Sequence, residues 1–238
     1  ALIPVLLKHN YKWDSLFDDT ATLLSIHNIG YQGLFAKSAL QAAELGEDLF
    51  YPGGPLELNG AVCFLKAGIL FSEIISTVSE TYAHEILTPE YGAGMEKILR
   101  TREQDLFGVI NGIDDDIWDP ETDNYSASSL EGKLKNKAFL LMNTGHDFDE
   151  DRPVIGIISR LVAQKGFDLV ADAMNDLMRM DAQWVVLGSG EVQYERLFTS
   201  MAHSLPQKVW TYIGFNNELA HLIEAGADML LMPSRYEP

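Results

Sequence analysis

The chain has 238 residues, of which 47% are hydrophobic and 22% charged, and its formal net charge is −18. This composition is typical of a soluble globular protein with enough core for one large domain or two small ones, and the acidic excess argues against a general surface for nucleic acid or anionic membranes. The single cysteine, Cys63, excludes an internal disulfide framework and a cysteine-rich zinc site. Together with the lack of a signal peptide or a membrane-length apolar run, it predicts a cytoplasmic protein.

The first 150 residues predict an irregular α/β pattern. Strands are expected over residues 22–26, 73–78 and 106–110, and helices over 61–71, 80–87 and about 128–142. His27 follows the first of these strands, and Asn111 follows the third. A lone histidine is more often packed or on the surface than functional, and an asparagine before a glycine is a common turn former. For both residues a ligand contact and a structural role therefore remain open.

From residue 151 onward, strands and helices alternate regularly. Strands are expected over 154–159, 183–187, 209–213 and 229–232, and helices over 167–180, 192–204 and 217–224. This alternation predicts right-handed crossovers and a parallel sheet that is covered on both faces. The polar, acidic segment 145–152 is a plausible hinge, so we predict two lobes, residues 1–150 and 151–238.

Two cations stand at the end of the first strand of the second lobe. Arg160 ends an apolar run, and Lys165 precedes Gly166 and the predicted helix. Such cations can be surface residues that pair with acidic side chains. Their position at a strand end and a helix start favours an anion site instead, because this edge of an α/β sheet binds ligands. An arginine fork and a lysine point charge suit two adjacent phosphates.

Two further positions lie at the same predicted edge. Gly188 opens the sequence Gly-Ser-Gly-Glu, which lacks the third glycine of a dinucleotide fingerprint and follows a later strand, so a simple turn is as good an interpretation as a ligand contact. Glu237 follows the last strand. Its carboxylate is either a surface charge or an acceptor for the hydroxyl groups of a sugar or ribose.

The sequence offers little support for metal or hydrolase chemistry. The run of Asp114, Asp115 and Asp116 lacks the further ligands of a calcium loop, so a solvated acidic loop is favoured over a metal site. The histidines are scattered, and no Gly-x-Ser-x-Gly elbow is present. We therefore predict no metal ligands and no cofactor.

The two ends of the chain are apolar. It begins without methionine on Ala-Leu-Ile-Pro and closes on Leu-Leu-Met-Pro-Ser-Arg-Tyr-Glu-Pro, whereas natural termini are usually polar. We therefore expect an internal piece of a longer polypeptide, with both lobes incomplete.

Six groups of residues, in order along nearly the whole chain, resemble bacterial glycogen synthases and plant starch synthases. They are Ser25-Ile-His-Asn-Ile-Gly-Tyr-Gln-Gly33, Thr77-Val-Ser-Glu-Thr-Tyr-Ala83, Thr88-Pro-Glu-Tyr-Gly92, Val109-Ile-Asn-Gly-Ile-Asp114 through Trp118-Asp-Pro-Glu-Thr-Asp123, Ser159-Arg-Leu-Val-Ala-Gln-Lys-Gly166, and Ala220-His-Leu-Ile-Glu-Ala-Gly-Ala-Asp228 through Pro233-Ser-Arg-Tyr-Glu-Pro238. Each group alone is moderately specific, but their shared order is strongly so.

The resemblance implies an α/β fold of two Rossmann-like lobes, the GT-B glycosyltransferase architecture. It implies a hexosyltransferase that moves glucose, with retention, from ADP-glucose to the non-reducing end of an α-1,4-glucan. By resemblance, Arg160 and Lys165 bind the donor diphosphate in place of a metal, and His27 and Asn111 contact the transferred glucose. Glu237 matches a family glutamate at the donor sugar and ribose. A last implication is that Gly188 and Phe215 line the adenosine pocket.

The departures from the family pattern concern the ends. The family's Lys-x-Gly-Gly-Leu loop has no counterpart in this chain, and the Cys-Gly-Leu and second glutamate that follow Glu-Pro in the family are also outside it. We therefore expect a glucan synthase as the full-length parent, and little or no activity from these residues alone. Two alternatives remain open: a non-catalytic nucleotide- or glucan-binding fragment, and a transferase for another sugar nucleotide.

Overall fold

The computed structural model describes residues 1–123 and 131–238, and the chain divides between Gly112 and Ile113 into two units. The first unit contains six short strands and five short α-helices in the following order: α1 (Leu2–Val5), β1 (Leu23–Ile26), β2 (Leu34–Phe35), α2 (Ala39–Ala42), β3 (Glu57–Leu58), β4 (Ala61–Cys63), α3 (Phe64–Phe71), β5 (Ile74–Thr77), α4 (Glu80–Glu85), α5 (Glu96–Arg100) and β6 (Leu106–Gly108).

The main sheet of the first unit is parallel, with strand order β1-β5-β6. Burial alternates along β1, where Leu24 and Ile26 are buried and Leu23 is exposed. On β5, Ile74 is exposed and the next three residues, including Ile75, are buried. The buried face packs with residues of α4 and its following turn, including Tyr82. The three strands predicted in this unit are confirmed, and each is shorter than expected.

A small antiparallel sheet, order β2-β4-β3, was not predicted, and it corrects the helix expected over 61–71. Leu58 pairs with Ala61, so Asn59 and Gly60 form a two-residue hairpin turn, both at positive φ (51° and 85°). The helix begins only at Phe64, where the Cys63 sulfur caps it by accepting the Lys66 N–H.

The second unit contains the regular alternation that the sequence predicts. Its elements are α6 (Glu131–Thr144), β7 (Val154–Leu161), α7 (Phe167–Leu177), β8 (Gln183–Gly190), α8 (Val192–Ser204), β9 (Val209–Ile213), α9 (Asn217–Gly226) and β10 (Met229–Leu230). Residues 128–130 of the helix predicted over about 128–142 lie outside the described residues. Among the described residues, no helix is long and apolar enough to cross a membrane.

The four strands that the structure describes in this unit are parallel, in the order β10-β7-β8-β9. Alternate residues of each central strand enter two different cores. Trp184 and Val186 pack with α7 and α8, whereas Val185 and Leu187 pack with α6 and α9. The parallel sheet with helices on both faces is therefore confirmed.

The division of the chain falls earlier than the predicted boundary at residues 150 and 151, because α6 packs against α9. The Lys133 ammonium donates to the carbonyl oxygens of Glu224 (3.0 Å) and Ala225 (2.9 Å) at the end of α9. The buried Lys137 ammonium lies 3.0 Å from the Asp228 carboxylate. These contacts place α6 with the second sheet.

Candidate functional site

The strand order of the second unit places a switch point between β7 and β10. The chain runs from β7 to β8 and β9 on one side and returns to β10 on the other. Helices then cover opposite faces on either side of this point, which leaves a crevice at the carboxyl ends of the two strands. Arg160 is the second-last residue of β7, Lys165 lies in the turn after that strand, and Glu237 lies in the segment after β10. The predicted anion site therefore lies where an open parallel sheet binds ligands.

The loop after β7 is shaped by Gly166. Residues Ala163–Lys165 form one turn of 3₁₀ helix, and Gly166 then adopts φ +76° as the N-cap of α7. A Cβ at this position would lie 1.9 Å from the Pro233 carbonyl oxygen, so both the backbone angle and the available space require glycine. The prediction that a helix begins at Phe167 is confirmed.

Lys165 and Glu237 contact each other directly. The Lys165 ammonium lies 2.5 Å from Oε1 of Glu237, and the Ser234 hydroxyl donates to the same oxygen at 2.5 Å. Partial burial raises the pKa of Glu237, but the hydrogen bonds from Lys165 and Ser234 and the charges of Lys165 and Arg160 outweigh it, so the pKa lies below its ordinary value. The carboxylate is thus ionised at neutral pH and accepts hydrogen bonds.

A cavity of about 230 Å³ opens beside Arg160. Its walls include Arg160 and Gly188, with Gly214, Phe215 and Asn216 on another side. Three of the predicted site residues, Arg160, Gly188 and Phe215, therefore line one cavity.

The glycine and the asparagine each have a local reason for their place at the cavity. A Cβ on Gly188 would lie 2.0 Å from the Ser159 carbonyl oxygen on the paired strand, so this wall carries no side chain. Asn216 caps α9, because its side-chain oxygen accepts the Leu219 N–H at 2.9 Å. Phe215 is 87% exposed, which leaves its ring available to a flat ligand at the cavity rim.

His27 and Asn111 lie at the carboxyl edge of the first unit's parallel sheet. His27 directly follows β1, and Asn111 comes three residues after β6; both are exposed. Strand β5 lies between β1 and β6 in the sheet, so the two residues follow strands that are not direct neighbours. Sequence reasoning missed Tyr82, whose buried hydroxyl accepts the Ile29 N–H at 3.0 Å and so fixes the loop that follows His27.

The acidic run at residues 114–116 has a structural role in its own turn. Oδ1 of Asp114 accepts the backbone N–H groups of Asp116 and Ile117, each at 3.2 Å. Within residues 1–123 and 131–238, no group of three or more His, Cys, Asp or Glu side chains is placed to hold a metal ion.

Sequence reasoning also missed Asp168 as a contributor to this edge. It stands in the first turn of α7, and its carboxylate accepts hydrogen bonds from the Arg235 guanidinium. No local sequence signal reveals this pair, because the two residues are 67 positions apart.

Comparison with known proteins relates these features to a family. The family model for the starch synthase catalytic domain matches residues 1–101, and the model for glycosyl transferases group 1 matches residues 98–238. This chain belongs to the group 1 glycosyl transferases. The resemblance to glycogen and starch synthases that the sequence motifs carry is confirmed by these matches.

Curated relatives extend the similarity over the whole chain. The glycogen synthase of Thermodesulfovibrio yellowstonii is 46% identical over 243 residues and that of Thermotoga maritima is 49% identical over 243 residues, each match covering 100% of this chain. The matches cover 49% and 50% of those relatives, so the chain spans about half their length.

A solved structure agrees with the same family. The catalytic domain of starch synthase IV from Arabidopsis thaliana, bound to ADP and acarbose, matches with a TM-score of 0.88 and 32% identity, over 99% of this chain and 50% of that one. The predicted α/β fold class of GT-B type is therefore confirmed.

Proposed function

We propose that the protein to which this chain belongs is a glycogen or starch synthase, which transfers glucose from ADP-glucose to the non-reducing end of an α-1,4-glucan with retention of configuration. The observation that carries this proposal is the switch-point site of the second unit. There, Arg160, Gly188 and Phe215 line one cavity, and Lys165, which follows β7, pairs with Glu237. The related starch synthase IV structure, which contains ADP and acarbose, supports the choice of ligands.

Arg160 and Lys165 would bind the donor diphosphate. A guanidinium supplies paired donors in one plane and an ammonium supplies a compact charge, so together they can contact two adjacent phosphates. Both groups are fixed on the protein before the reaction, Arg160 within β7 and Lys165 in the turn before α7. Positive charge that is fixed in advance stabilises the negative charge that develops on a departing nucleoside diphosphate.

The cavity beside Arg160 would accept the nucleoside. Ile158 and Leu187 provide apolar walls, and Gly188 contributes a wall of bare backbone. The exposed ring of Phe215 would stack on the base. Glu237, ionised beside Lys165, would accept hydrogen bonds from the hydroxyl groups of the donor sugar or ribose.

His27 and Asn111 keep the role that the family resemblance implies, namely contacts to the transferred glucose. Their exposure at the carboxyl edge of a parallel sheet is compatible with that role. We also propose a cytoplasmic location, which is supported by the free, buried Cys63.

Calorimetric titration of the purified chain with ADP tests the nucleotide site. Loss of a charge-assisted hydrogen bond costs about 1.5–3 kcal/mol, so we expect Arg160→Ala to weaken ADP binding about 10- to 150-fold. Arg179→Ala is the matched control. Arg179 lies just after α7, its side chain is 81% exposed, and among the ion pairs of the described residues it pairs only with Asp176. Equal binding of ADP by wild type and Arg160→Ala would contradict the proposed site.

A transfer assay with the whole protein tests the reaction and the donor. Incorporation of labelled glucose into glycogen should be faster from ADP-glucose than from UDP-glucose. The reverse preference would indicate a transferase for another sugar nucleotide. Binding of ADP without transfer by the whole protein would indicate a non-catalytic nucleotide-binding protein instead.

A further inference from the structure

Glu237 lies on a segment that has no regular secondary structure of its own. Strand β10 ends at Leu230, and residues 231–238 form neither helix nor strand. Nevertheless, the Glu237 carboxylate lies 2.5 Å from the Lys165 ammonium. Contacts from outside the segment must therefore set its path.

Those contacts come from the start of α7 and the turn before it. The Arg235 N–H donates to the Gln164 carbonyl oxygen at 2.9 Å, and the Pro233 carbonyl lies directly over the Cα of Gly166. Nε of Arg235 is 3.0 Å from Oδ2 of Asp168 and 3.2 Å from Oδ1, and Nη2 donates to the same carboxylate.

The Asp168–Arg235 pair has a geometry that fixes direction. Several N–H groups of one guanidinium contact one carboxylate, which restricts both distance and orientation. Asp168 itself is held in the first turn of α7, where a carboxylate is favoured by the helix N-terminus. Arg235 stands two residues before Glu237, so fixing Arg235 limits where Glu237 can lie.

The same pair contributes little to overall stability. The Asp168 side chain is 34% exposed and the Arg235 side chain 49% exposed, and ion pairs of this kind are screened by water. A close, multiply bonded pair that adds little stability is better explained by the segment that it orients.

From these contacts we propose that Asp168 and Arg235 are positioning residues, which hold the 233–237 segment so that the Glu237 carboxylate meets Lys165. This inference rests on the proposed function for the role of Glu237 in ligand binding. The contact between Glu237 and Lys165 itself does not depend on a bound nucleotide. Its test can therefore be made on the ligand-free chain.

The decisive variant is Asp168→Asn, and the quantity measured is the pKa of Glu237. Carbon-13 NMR of the Glu237 side-chain carboxyl group gives this pKa, and the loss of that signal in Glu237→Gln assigns it. Two effects of this change have opposite signs. Removal of a nearby negative charge lowers the pKa of Glu237, because the ionised form is no longer repelled. Loss of the Lys165 contact raises it, because the ionised form loses its partner.

If Asp168 positions the segment, the pKa of Glu237 should rise toward the ordinary glutamate value in Asp168→Asn. Arg235→Lys should give the same rise, because it keeps the charge but not the guanidinium geometry. Asp176→Asn is the matched control: Asp176 is also on α7 and also bonds an arginine, Arg179, but it does not contact the segment in any hydrogen bond or ion pair recorded for the described residues. The control should leave the pKa of Glu237 unchanged.

A pKa of Glu237 that falls or stays constant in both Asp168→Asn and Arg235→Lys would overturn the inference. Thermal unfolding of each variant checks that the fold persists, and we expect midpoints close to wild type. If one variant fails to fold, the other decides. A failure to bind ADP would refute the proposed function without altering this result, because the titration contains no nucleotide.

Discussion

Glu237 should oppose the binding of a simple anion at Lys165, and Glu237→Gln should reveal the size of that opposition. In the ligand-free chain, the Lys165 ammonium already has a carboxylate partner at 2.5 Å. A phosphate oxygen that also contacts this ammonium, at about 2.8 Å, lies within about 5 Å of the Glu237 oxygen. The two negative charges then repel each other, unless Glu237 leaves and breaks its own contact.

The magnitude follows from Coulomb's law. Two unit charges about 5 Å apart interact with about 0.8 kcal/mol in bulk water and about 3 kcal/mol at the effective dielectric constant of a protein surface. The Glu237 side chain is 43% exposed, which favours the lower part of this range. We therefore expect Glu237→Gln to tighten pyrophosphate binding by about 1–2 kcal/mol, or about 5- to 30-fold.

Calorimetric titration with pyrophosphate, at constant ionic strength and without divalent cations, measures this change. Asp181→Asn is the control for net charge. Asp181 is 91% exposed, pairs with Arg152 and precedes β8, so it lies at the opposite edge of the sheet from Lys165. The reasoning is refuted if Glu237→Gln leaves pyrophosphate affinity within twofold of wild type, weakens it, or gives no more gain than Asp181→Asn.

Two further predictions concern stability. Gly188→Ala should destabilise the chain by about 1–3 kcal/mol in urea unfolding and weaken ADP binding, because the new Cβ would meet the Ser159 carbonyl oxygen at 2.0 Å. Gly112→Ala is the control: a Cβ at Gly112 meets nothing within 4 Å, so this change should leave stability nearly unchanged. In the first unit, burial raises the pKa of Glu73, but the bonds from Lys8 and Thr22 outweigh it and lower the pKa to about 2. A carboxyl group whose pKa is lower in the folded state stabilises the fold fully above its unfolded pKa, and this stabilisation is lost as the pH falls toward 2. The difference in unfolding free energy between wild type and Glu73→Gln should therefore shrink by about 1–2 kcal/mol from pH 5 to pH 2. This figure is reduced because the Glu73 side chain is 36% exposed and its interactions are screened by water. An unchanged difference across that range would contradict the assignment of Lys8 and Thr22 as its partners.

The second unit could be predicted closely from the sequence because its signals are local. The bounds of helix Val192–Ser204 and strand Val209–Ile213 agree with the prediction, since their apolar periodicity changes sharply at each end. Strands β7 and β8 extend beyond their predicted ends at residues 159 and 187. There, the ladder continues through Arg160 paired with Ser189 and Leu161 paired with Gly190. Polar residues and glycine have weak strand preference, so only the partner strand makes these positions extended.

The first unit was harder to predict because its short strands depend on distant partners. Cys63 pairs with Leu34, and residues this far apart leave no periodic pattern to read. The Asn59-Gly60 turn was a readable hairpin signal, but it stands beside an apolar run that also suits a helix. Pairing across the chain thus decided the structure of residues 61–63.

The candidate site likewise has residues that the sequence indicates and residues that only the structure reveals. Arg160, Lys165 and Glu237 could be proposed from the sequence because each comes after a predicted strand, and parallel strands end at one edge. Asp168 was not found, because its contact with Arg235 appears only after the chain has folded. Sequence pattern therefore identifies which residues reach the edge, whereas the hydrogen bonds between them require the structure.

Under the proposed function, the Lys165–Glu237 contact also contributes to the choice of ligand. A simple anion gains Lys165 but meets the negative charge of Glu237, so its net gain is small. A sugar nucleotide brings hydroxyl groups beside its diphosphate, and those groups can donate to the same carboxylate. Glu237 then changes from a repelling charge into a hydrogen-bond acceptor. Consequently, Glu237→Gln should tighten pyrophosphate more than it tightens ADP-glucose, and the ratio of the two affinities measures how far this one carboxylate selects a sugar nucleotide over a bare phosphate.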